Sequence, residues 1–259
     1  MALSATERRR SAIVDLATFS GLASVEELSR RFGVTPSTIR RDLAKLTAEG
    51  RITRTYGGAA PAARHGHVES SLRQRLGEAH EAKRAIGRLA AAQVAPGDAL
   101  LLDTGSTVGA LADELTEAED VTVTTVSLTV LDALADAEGV TLQCLGGRLR
   151  PASQGFVGPL AEAALERISA DIVFLGTDGV SATGEICEAD LVQTRLKELM
   201  IRRGGRVFVL AHGSKIGAAP FHAWLRVPVP WTLVTDATAS THCLDSLREH
   251  GVEVVVADA

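Results

Sequence analysis

The chain has 259 residues, 46% of them hydrophobic, and a formal net charge of −5. That much apolar material excludes general disorder, and no apolar run reaches the roughly 18 residues needed to span a bilayer. Aromatics make up only 3%, so any core must be built from Ala, Val, Leu and Ile.

The charge is uneven. Residues 1–58 carry ten Lys/Arg against six Asp/Glu, net +4, and the rest carry 17 against 26, net −9. A basic N-terminal segment on an acidic body points to an anionic partner at that end only. No apolar stretch follows Arg8-Arg9-Arg10, so no secretory leader is expected and the chain is expected in the cytoplasm. Cys144, Cys187 and Cys243 are odd in number and far apart, which argues against disulfides and zinc. The histidines form no HExxH, and neither a metal nor a cofactor is expected.

Three helical patterns open the chain. The first starts at Ser4 with Glu7 three residues on, a capping box, and keeps Ile13, Leu16 and Ala17 at helical spacing. The second starts at Ser24 with Glu27 three residues on, and Gly33 stands where a left-handed C′ residue belongs. The third starts at Thr35, with Pro36 at the first helical position and Ile39, Leu43 and Leu46 on one face. It ends at Glu49-Gly50. Arg51 to Gly58 then reads as a short strand with Gly57-Gly58 as its turn. Two short helices across a tight turn, followed by a β-ribbon, make a winged helix-turn-helix.

The chemistry of residues 1–58 fits double-stranded DNA. With Ile39, Leu43 and Leu46 inward, the third helix shows Ser37, Thr38, Arg40, Arg41 and Lys45 outward. Base edges in a major groove offer acceptors to arginine. The helix start at Thr35, Ser37 and Thr38 can donate to phosphate. Arg51 and Arg54 sit on the wing, where a ribbon meets backbone or minor groove. The bland reading is a solvated basic face on an interaction module.

Residues 59–80 read as a linker, without periodicity to about residue 70 and leading into a helix beyond it. Residues 81–259 alternate strand and helix. Apolar runs occur at 99–102, 121–126, 140–145, 172–175, 207–210, 233–235 and 252–256, with helical stretches at 83–93, 107–116, 128–137, 159–168, 189–203 and 241–250. Continuous apolar strands are those buried on both faces, so an α/β layered domain with a mostly parallel sheet is expected. Ligands in such folds bind beyond the strand C-termini. Five strands end there in small, hydroxylic or charged residues: Asp103-Thr104-Gly105-Ser106-Thr107, Ser127, Gly146-Gly147-Arg148, Gly176-Thr177-Asp178-Gly179 and His212-Gly213-Ser214-Lys215. The Asp103–Thr107 turn suits a phosphate, through close backbone approach, hydroxyl donors and a helix N-terminus, or is a plain capped turn. It is neither GxxxxGK[ST] nor GxGxxG. Lys215 is an anion partner or a solvated loop lysine. Asp178 and Glu188 accept sugar hydroxyls or serve as caps and surface acids.

The run Ser37-Thr38-Ile39-Arg40-Arg41-Asp42-Leu43, followed by Arg54-Thr55-Tyr56-Gly57-Gly58-Ala59, resembles the N-terminal domain of the DeoR family of bacterial transcription regulators. The resemblance extends over nearly the whole chain, through Asp103-Thr104-Gly105-Ser106-Thr107, Gly146-Gly147, Gly176-Thr177-Asp178-Gly179 with the following Glu188, and Ser214-Lys215-Ile216-Gly217. It implies a sugar-phosphate-isomerase-like sensor domain, a phosphorylated sugar as effector, repression and a homo-oligomer. The effector contacts it implies are Asp103, Gly105, Ser106, Thr107, Ser127, Gly146, Gly147, Gly176, Asp178, Glu188 and Lys215. Two positions depart from the family pattern: Val126 stands where Asn is usual, and Ala211-His212-Gly213 stands where an Asp is usual. The competing readings are a sugar-phosphate isomerase or deaminase using Asp178 and Glu188, and a DNA-architectural protein with a degenerate body.

Overall fold

The computed structural model describes residues 5–20, 23–48, 52–55, 58–61 and 69–258. The N-terminal unit comprises α1 (Ala5–Ser20), β1 (Ala23–Ser24), α2 (Val25–Phe32), α3 (Pro36–Ala48), β2 (Ile52–Thr55) and β3 (Gly58–Pro61). Its core is small: Ile13, Val25, Leu28, Ile39, Leu43 and Leu46 are buried together, with Phe32 and Val34 packed against them. The turn between α2 and α3 closes as expected. Gly33 takes φ +61°, the Val34 N–H donates to Ser29 O at 3.2 Å, and the Gly33 N–H donates to Arg30 O at 3.4 Å. This is the paired C-cap that a left-handed glycine permits. Thr35 caps α3 by accepting from the Thr38 N–H at 3.3 Å.

The wing is three-stranded, in the order β1-β3-β2, and antiparallel. Two of its strands had no sequence signal. β1 is two residues long, and β3 is built on Ala59 and Ala60, too small to show alternation; it begins at Gly58, read as a turn residue, and otherwise falls inside the stretch assigned to the linker. The cap at Ser4, the helix end at Glu49-Gly50, the turn residue Gly57 and linker residues 62–68 lie outside the described residues.

The second unit begins with α4 (Leu72–Leu76), started by a Ser71–Gln74 capping box, and α5 (His80–Ala91). There follow β4 (Ala99–Leu102), α6 (Ser106–Glu114), β5 (Val121–Thr125), α7 (Leu128–Leu134) and β6 (Val140–Cys144). Then come β7 (Arg148–Arg150), β8 (Gly155–Val157), α8 (Pro159–Leu165), β9 (Ala170–Leu175), β10 (Gly179–Val180) and β11 (Glu185–Glu188). The chain ends with α9 (Leu191–Arg203), β12 (Gly204–Leu210), β13 (Ala223–Arg226), β14 (Thr232–Asp236), α10 (Thr241–Glu249) and β15 (Glu253–Ala257).

All seven apolar runs read from the sequence are strands of one sheet, ordered β15-β14-β12-β9-β4-β5-β6 and parallel throughout. The sheet is covered on both faces, which explains the continuous runs. Leu101, Val173, Leu175, Val207, Val209 and Leu233 pack with α8, α9 and α10 on one side. Leu100, Leu102, Ile172, Phe174, Phe208, Leu210 and Val234 pack with α5, α6 and α7 on the other. Adjacent residues therefore enter opposite cores. Two smaller antiparallel pieces were not read: the β7–β8 hairpin and the β10-β11-β13 sheet. Their strands run only two to four residues, below the length at which periodicity shows.

The strand order reverses between β4 and β9. The chain winds outward from β4 to β6, then returns to the other side of β4 and winds out to β15. A crevice opens at such a switch point, beyond the strand C-termini.

Backbones approach closely between α5 and α6. A Cβ placed on Gly87 would lie 2.6 Å from Ala110 O. In an open helix Gly→Ala gains about 1 kcal/mol, but here the overpacking cost of about 1–3 kcal/mol exceeds it. Gly87→Ala is therefore expected to lower Tm, by about 2–4 °C per kcal/mol for a domain of this size. A variant that melts higher than wild type would show that the two helices separate freely.

Candidate functional site

The N-terminal unit presents one basic face. Ile39, Leu43 and Leu46 turn inward, which leaves Ser37, Arg40, Arg41 and Lys45 exposed and Thr38 half-buried. Thr35 Oγ1 lies 2.8 Å from Ser37 Oγ and 2.9 Å from Thr38 Oγ1, so three hydroxyls cluster at the start of α3. Asp42, in the same helix, turns the other way. It is buried, and its two carboxylate oxygens accept from Arg9 Nε and Arg10 Nε, each at 2.8 Å. The arginines of α1 thus clamp α3 from behind while those of α3 face outward. On the wing, Arg54 pairs with Ala59 across the ribbon. Arg51 lies outside the described residues.

The second site is the crevice at the switch point. A polar recess is lined by Thr104, Gly105, Ser106, Thr107, Gly176, Thr177, Asp178, Glu188, Lys215 and others. It opens beside a cleft of about 410 Å³ whose walls include Arg75, Lys83, Ser106, Asp178, His212, Ser214 and Lys215. The turn after β4 has the expected geometry: Gly105 takes φ +122°, a conformation that favours glycine, and α6 starts without any side-chain cap. Its first-turn N–H groups therefore point at the recess with their share of the helix dipole.

Behind the recess lies a buried charge cluster. Lys197, on α9, reaches Asp103 Oδ2 at 3.1 Å, donates to Gly176 O at 2.7 Å and ion-pairs with Glu188. Asp103 Oδ2 also accepts from the Gly176 N–H at 3.0 Å, which ties the ends of β4 and β9. Burial pushes the Glu188 carboxyl up to about 7, against the pull of Lys197. Burial works to lower Lys197, but Asp103 and Glu188 outweigh it and hold the ammonium above its ordinary range.

The cations nearer the opening are in the opposite state. Burial, then Lys215 and Arg75, bring Lys83 down to about 8, although Glu78 opposes. Its Nζ donates to Glu78 O at 2.5 Å and to Arg75 O. Burial also lowers Lys215, whose Nζ donates to Thr177 O at 2.5 Å. Asp178 accepts from Arg75 at 3.4 Å and from the Ala189 N–H at 3.3 Å.

Of the effector contacts read from the sequence, Gly105, Ser106, Thr107, Gly176, Asp178, Glu188 and Lys215 come together around the recess. Asp103 sits behind it, paired with Lys197. Ser127, Gly146 and Gly147 are not among the residues lining recess or cleft. Ser127 is fully buried and caps α7 through the Val130 N–H at 3.3 Å. Gly146 and Gly147 take φ +68° and +119° between β6 and β7, where a Cβ on Gly147 would meet Val157 O at 2.9 Å.

Both departures from the family pattern have a structural account. Val126 is fully buried in the core, and its carbonyl holds the Phe156 N–H at 2.7 Å. His212 lies 3.8 Å from the Asp236 carboxylate, so an acid reaches this corner from the end of β14 instead. Hydrogen bonds from Thr238 and the Gly213 N–H keep Asp236 below the usual carboxylate range, although burial acts the other way.

Sequence reasoning missed Glu69, Arg75, Lys83, Ser153, Gln193 and Lys197. Only the last two left a signal: Gln193 and Lys197, four apart, make a polar stripe on a helix otherwise buried through Leu196, Leu199 and Met200.

A winged helix-turn-helix with a basic recognition face, joined to an α/β domain with a charged recess at its switch point, is the build of a ligand-responsive DNA-binding regulator. Comparison with known proteins gives the family. Residues 9–64 match the DeoR-like helix-turn-helix domain and residues 78–237 the DeoR C-terminal sensor domain. The chain belongs to the DeoR family of transcription regulators. It is 33% identical to the transcriptional repressor GlcR of Bacillus subtilis, over 97% of this chain and 96% of that protein. It is 32% identical to the transcriptional regulator GlpR of Haloferax volcanii, over 96% of each. With the glycerol-3-phosphate regulon repressor of Escherichia coli K12 it shares 29% identity, over 95% of this chain and 97% of that protein. Among solved structures, the ribose 5-phosphate isomerase of Methanocaldococcus jannaschii overlays on 52% of the chain with TM-score 0.40 and 19% identity, covering 54% of the isomerase. No helix among the described residues is long and apolar enough to cross a membrane.

The buried cluster sets a stability expectation. Lys197→Met leaves two carboxylates without their cation and should cost about 3–5 kcal/mol. Glu188→Gln leaves the Lys197–Asp103 pair in place and should cost far less. Urea unfolding of both variants checks this, and equal losses would mean that Lys197 does not unite the two acids.

Proposed function

We propose that the chain is a repressor whose C-terminal domain binds a phosphorylated sugar and thereby changes the affinity of the winged helix-turn-helix for its operator. One observation carries the reading: the recess is bipolar. A helix N-terminus, hydroxyls and Lys215 line it together with the carboxylates Asp178 and Glu188, and Lys83 stands in the adjoining cleft. A phosphate suits the first group and a polyol suits the second. In this reading Ser37, Thr38, Arg40, Arg41 and Lys45 meet the major groove, and Arg51 and Arg54 meet the backbone beside it. The operator is double-stranded DNA, the acidic body stays away from it, and a cytoplasmic homo-oligomer presents two heads to two half-sites.

The enzymatic reading is disfavoured by the state of the acids. Glu188 is buried and ion-paired with Lys197, so this candidate base already has its partner. No turnover of ribose 5-phosphate or glucosamine 6-phosphate is expected, and turnover abolished by Asp178→Asn would restore that alternative.

A sugar-phosphate panel read by thermal shift is the direct test, since a ligand that binds only the folded state raises its stability. The matching ligand should also shift operator binding by a measurable factor. A mobility shift that no sugar phosphate alters would sink the sensing role. On the DNA side, Arg40→Ala or Arg41→Ala should relax sequence preference if the lost arginine reads a base, and weaken all DNA alike if it meets phosphate. Unchanged binding in both would remove α3 from the groove.

Ligand affinity should also depend on pH. An anion favours the charged form of Lys83, which burial brings down to about 8, so affinity falls as pH rises through that value. Below about pH 6 the phosphate itself takes up its second proton and loses charge. The optimum should therefore lie between about 6 and 8, and calorimetric titrations that strengthen steadily to pH 9 would exclude Lys83 as a charge partner.

A further inference from the structure

Part of the recess wall comes from just before the sensor domain, through Glu69 and Arg75. α4 docks on the loop between β7 and β8, where the Leu72 N–H donates to Ala152 O at 2.8 Å. The Arg75 guanidinium then reaches inward, 3.4 Å from Asp178 Oδ1 and 3.3 Å from Ala152 O, and 3.8 Å from Glu69. Its Nε is buried and makes no hydrogen bond, so that donor is unspent. Ser153, from the same loop and 2% exposed, likewise leaves its Oγ without a partner. Both residues line the recess into which the α6 N-terminus points.

Buried donors left unmade are costly and are found where something is meant to complete them. Two such donors beside a helix N-terminus define an acceptor-rich anion. We propose that Arg75 and Ser153 are ligands for the effector's phosphoryl group, and that the effector draws the Arg75 guanidinium off Asp178. This inference rests on the sensing role argued above. A planar guanidinium holds a phosphate through two parallel bonds, a better match than its single 3.4 Å contact with Asp178. Because Arg75 belongs to α4, the first described helix after the winged head in chain order, the exchange of partners relays occupancy of the recess toward the DNA-binding end. Asp178, released, is then free to accept a sugar hydroxyl.

The test uses the full chain and inorganic phosphate, titrated by calorimetry at low ionic strength, where charge pairing is least screened. Arg75→Gln should weaken phosphate binding about 10-fold or more, as loss of a charge-assisted bond does. Ser153→Ala should weaken it several-fold. Asp178→Asn should tighten it, because the competing carboxylate is gone. Amide exchange at Leu72 should change when phosphate saturates wild type and stay unchanged in Arg75→Gln. Should Arg75→Gln fail to fold, Ser153→Ala and Asp178→Asn still decide. Variants that bind phosphate as wild type does, or an Asp178→Asn that binds it more weakly, overturn the proposal while leaving the sensing role intact. A wild type that binds neither phosphate nor any sugar phosphate removes the sensing role itself, and this inference with it.

Discussion

One buried ammonium holds the ligand end of the sheet together. Lys197 touches three segments that the chain reaches separately: Asp103 after β4, the Gly176 carbonyl after β9 and Glu188 at the end of β11. β4 and β9 pair to their ends, but the connections that leave them turn to opposite faces of the sheet, so the segments beyond the strands need a tie of their own. The lysine supplies the missing bond, and its charge makes two close acids tolerable in a dry place. With Asp103 and Glu188 paired to Lys197, the recess presents donors at the α6 N-terminus, Arg75 and Lys215 beside the carboxylate of Asp178.

The same device appears in the head. Asp42 is buried and receives Arg9 and Arg10, which fixes α1 against α3. An inward acid gathers the structural arginines, and Arg40 and Arg41 are left outward. In both units buried ion pairs set the geometry, Asp42 with Arg9 and Arg10 in the head and Lys197 with Asp103 and Glu188 in the sensor domain. The sign of the exposed charge explains why one face suits DNA and the acidic remainder does not.

What could be read in advance followed from periodicity and from backbone exceptions. The seven sheet strands were legible because burial on both faces makes continuous apolar runs, and the α2–α3 turn because Gly33 and Thr35 have few other uses in such a setting. The rim at Gly105–Thr107, Gly176, Asp178 and Lys215 followed from looking past each strand end. Other parts were silent for physical reasons. β1, β3 and the β10-β11-β13 sheet are too short or too small-sided to print a period. Arg75 and Lys83 lie in segments that read as a linker and an ordinary amphipathic helix, and only the fold brings them across about a hundred residues to Asp178 and Lys215. Ser127, Gly146 and Gly147 show the reverse case: residues typical of a binding rim that here shape a cap and a turn.

The seam at Gly87 has a mechanical meaning. α5 is pressed so closely on α6 that even a methyl group has no room, and α6 is the helix whose N-terminus floors the recess. α5 and α6 are therefore held as one piece, and the chain that follows α4 shares its support with the residues that line the recess. Side-chain size at one glycine thus sets how far apart the two helices lie, and with it where the floor of the recess stands.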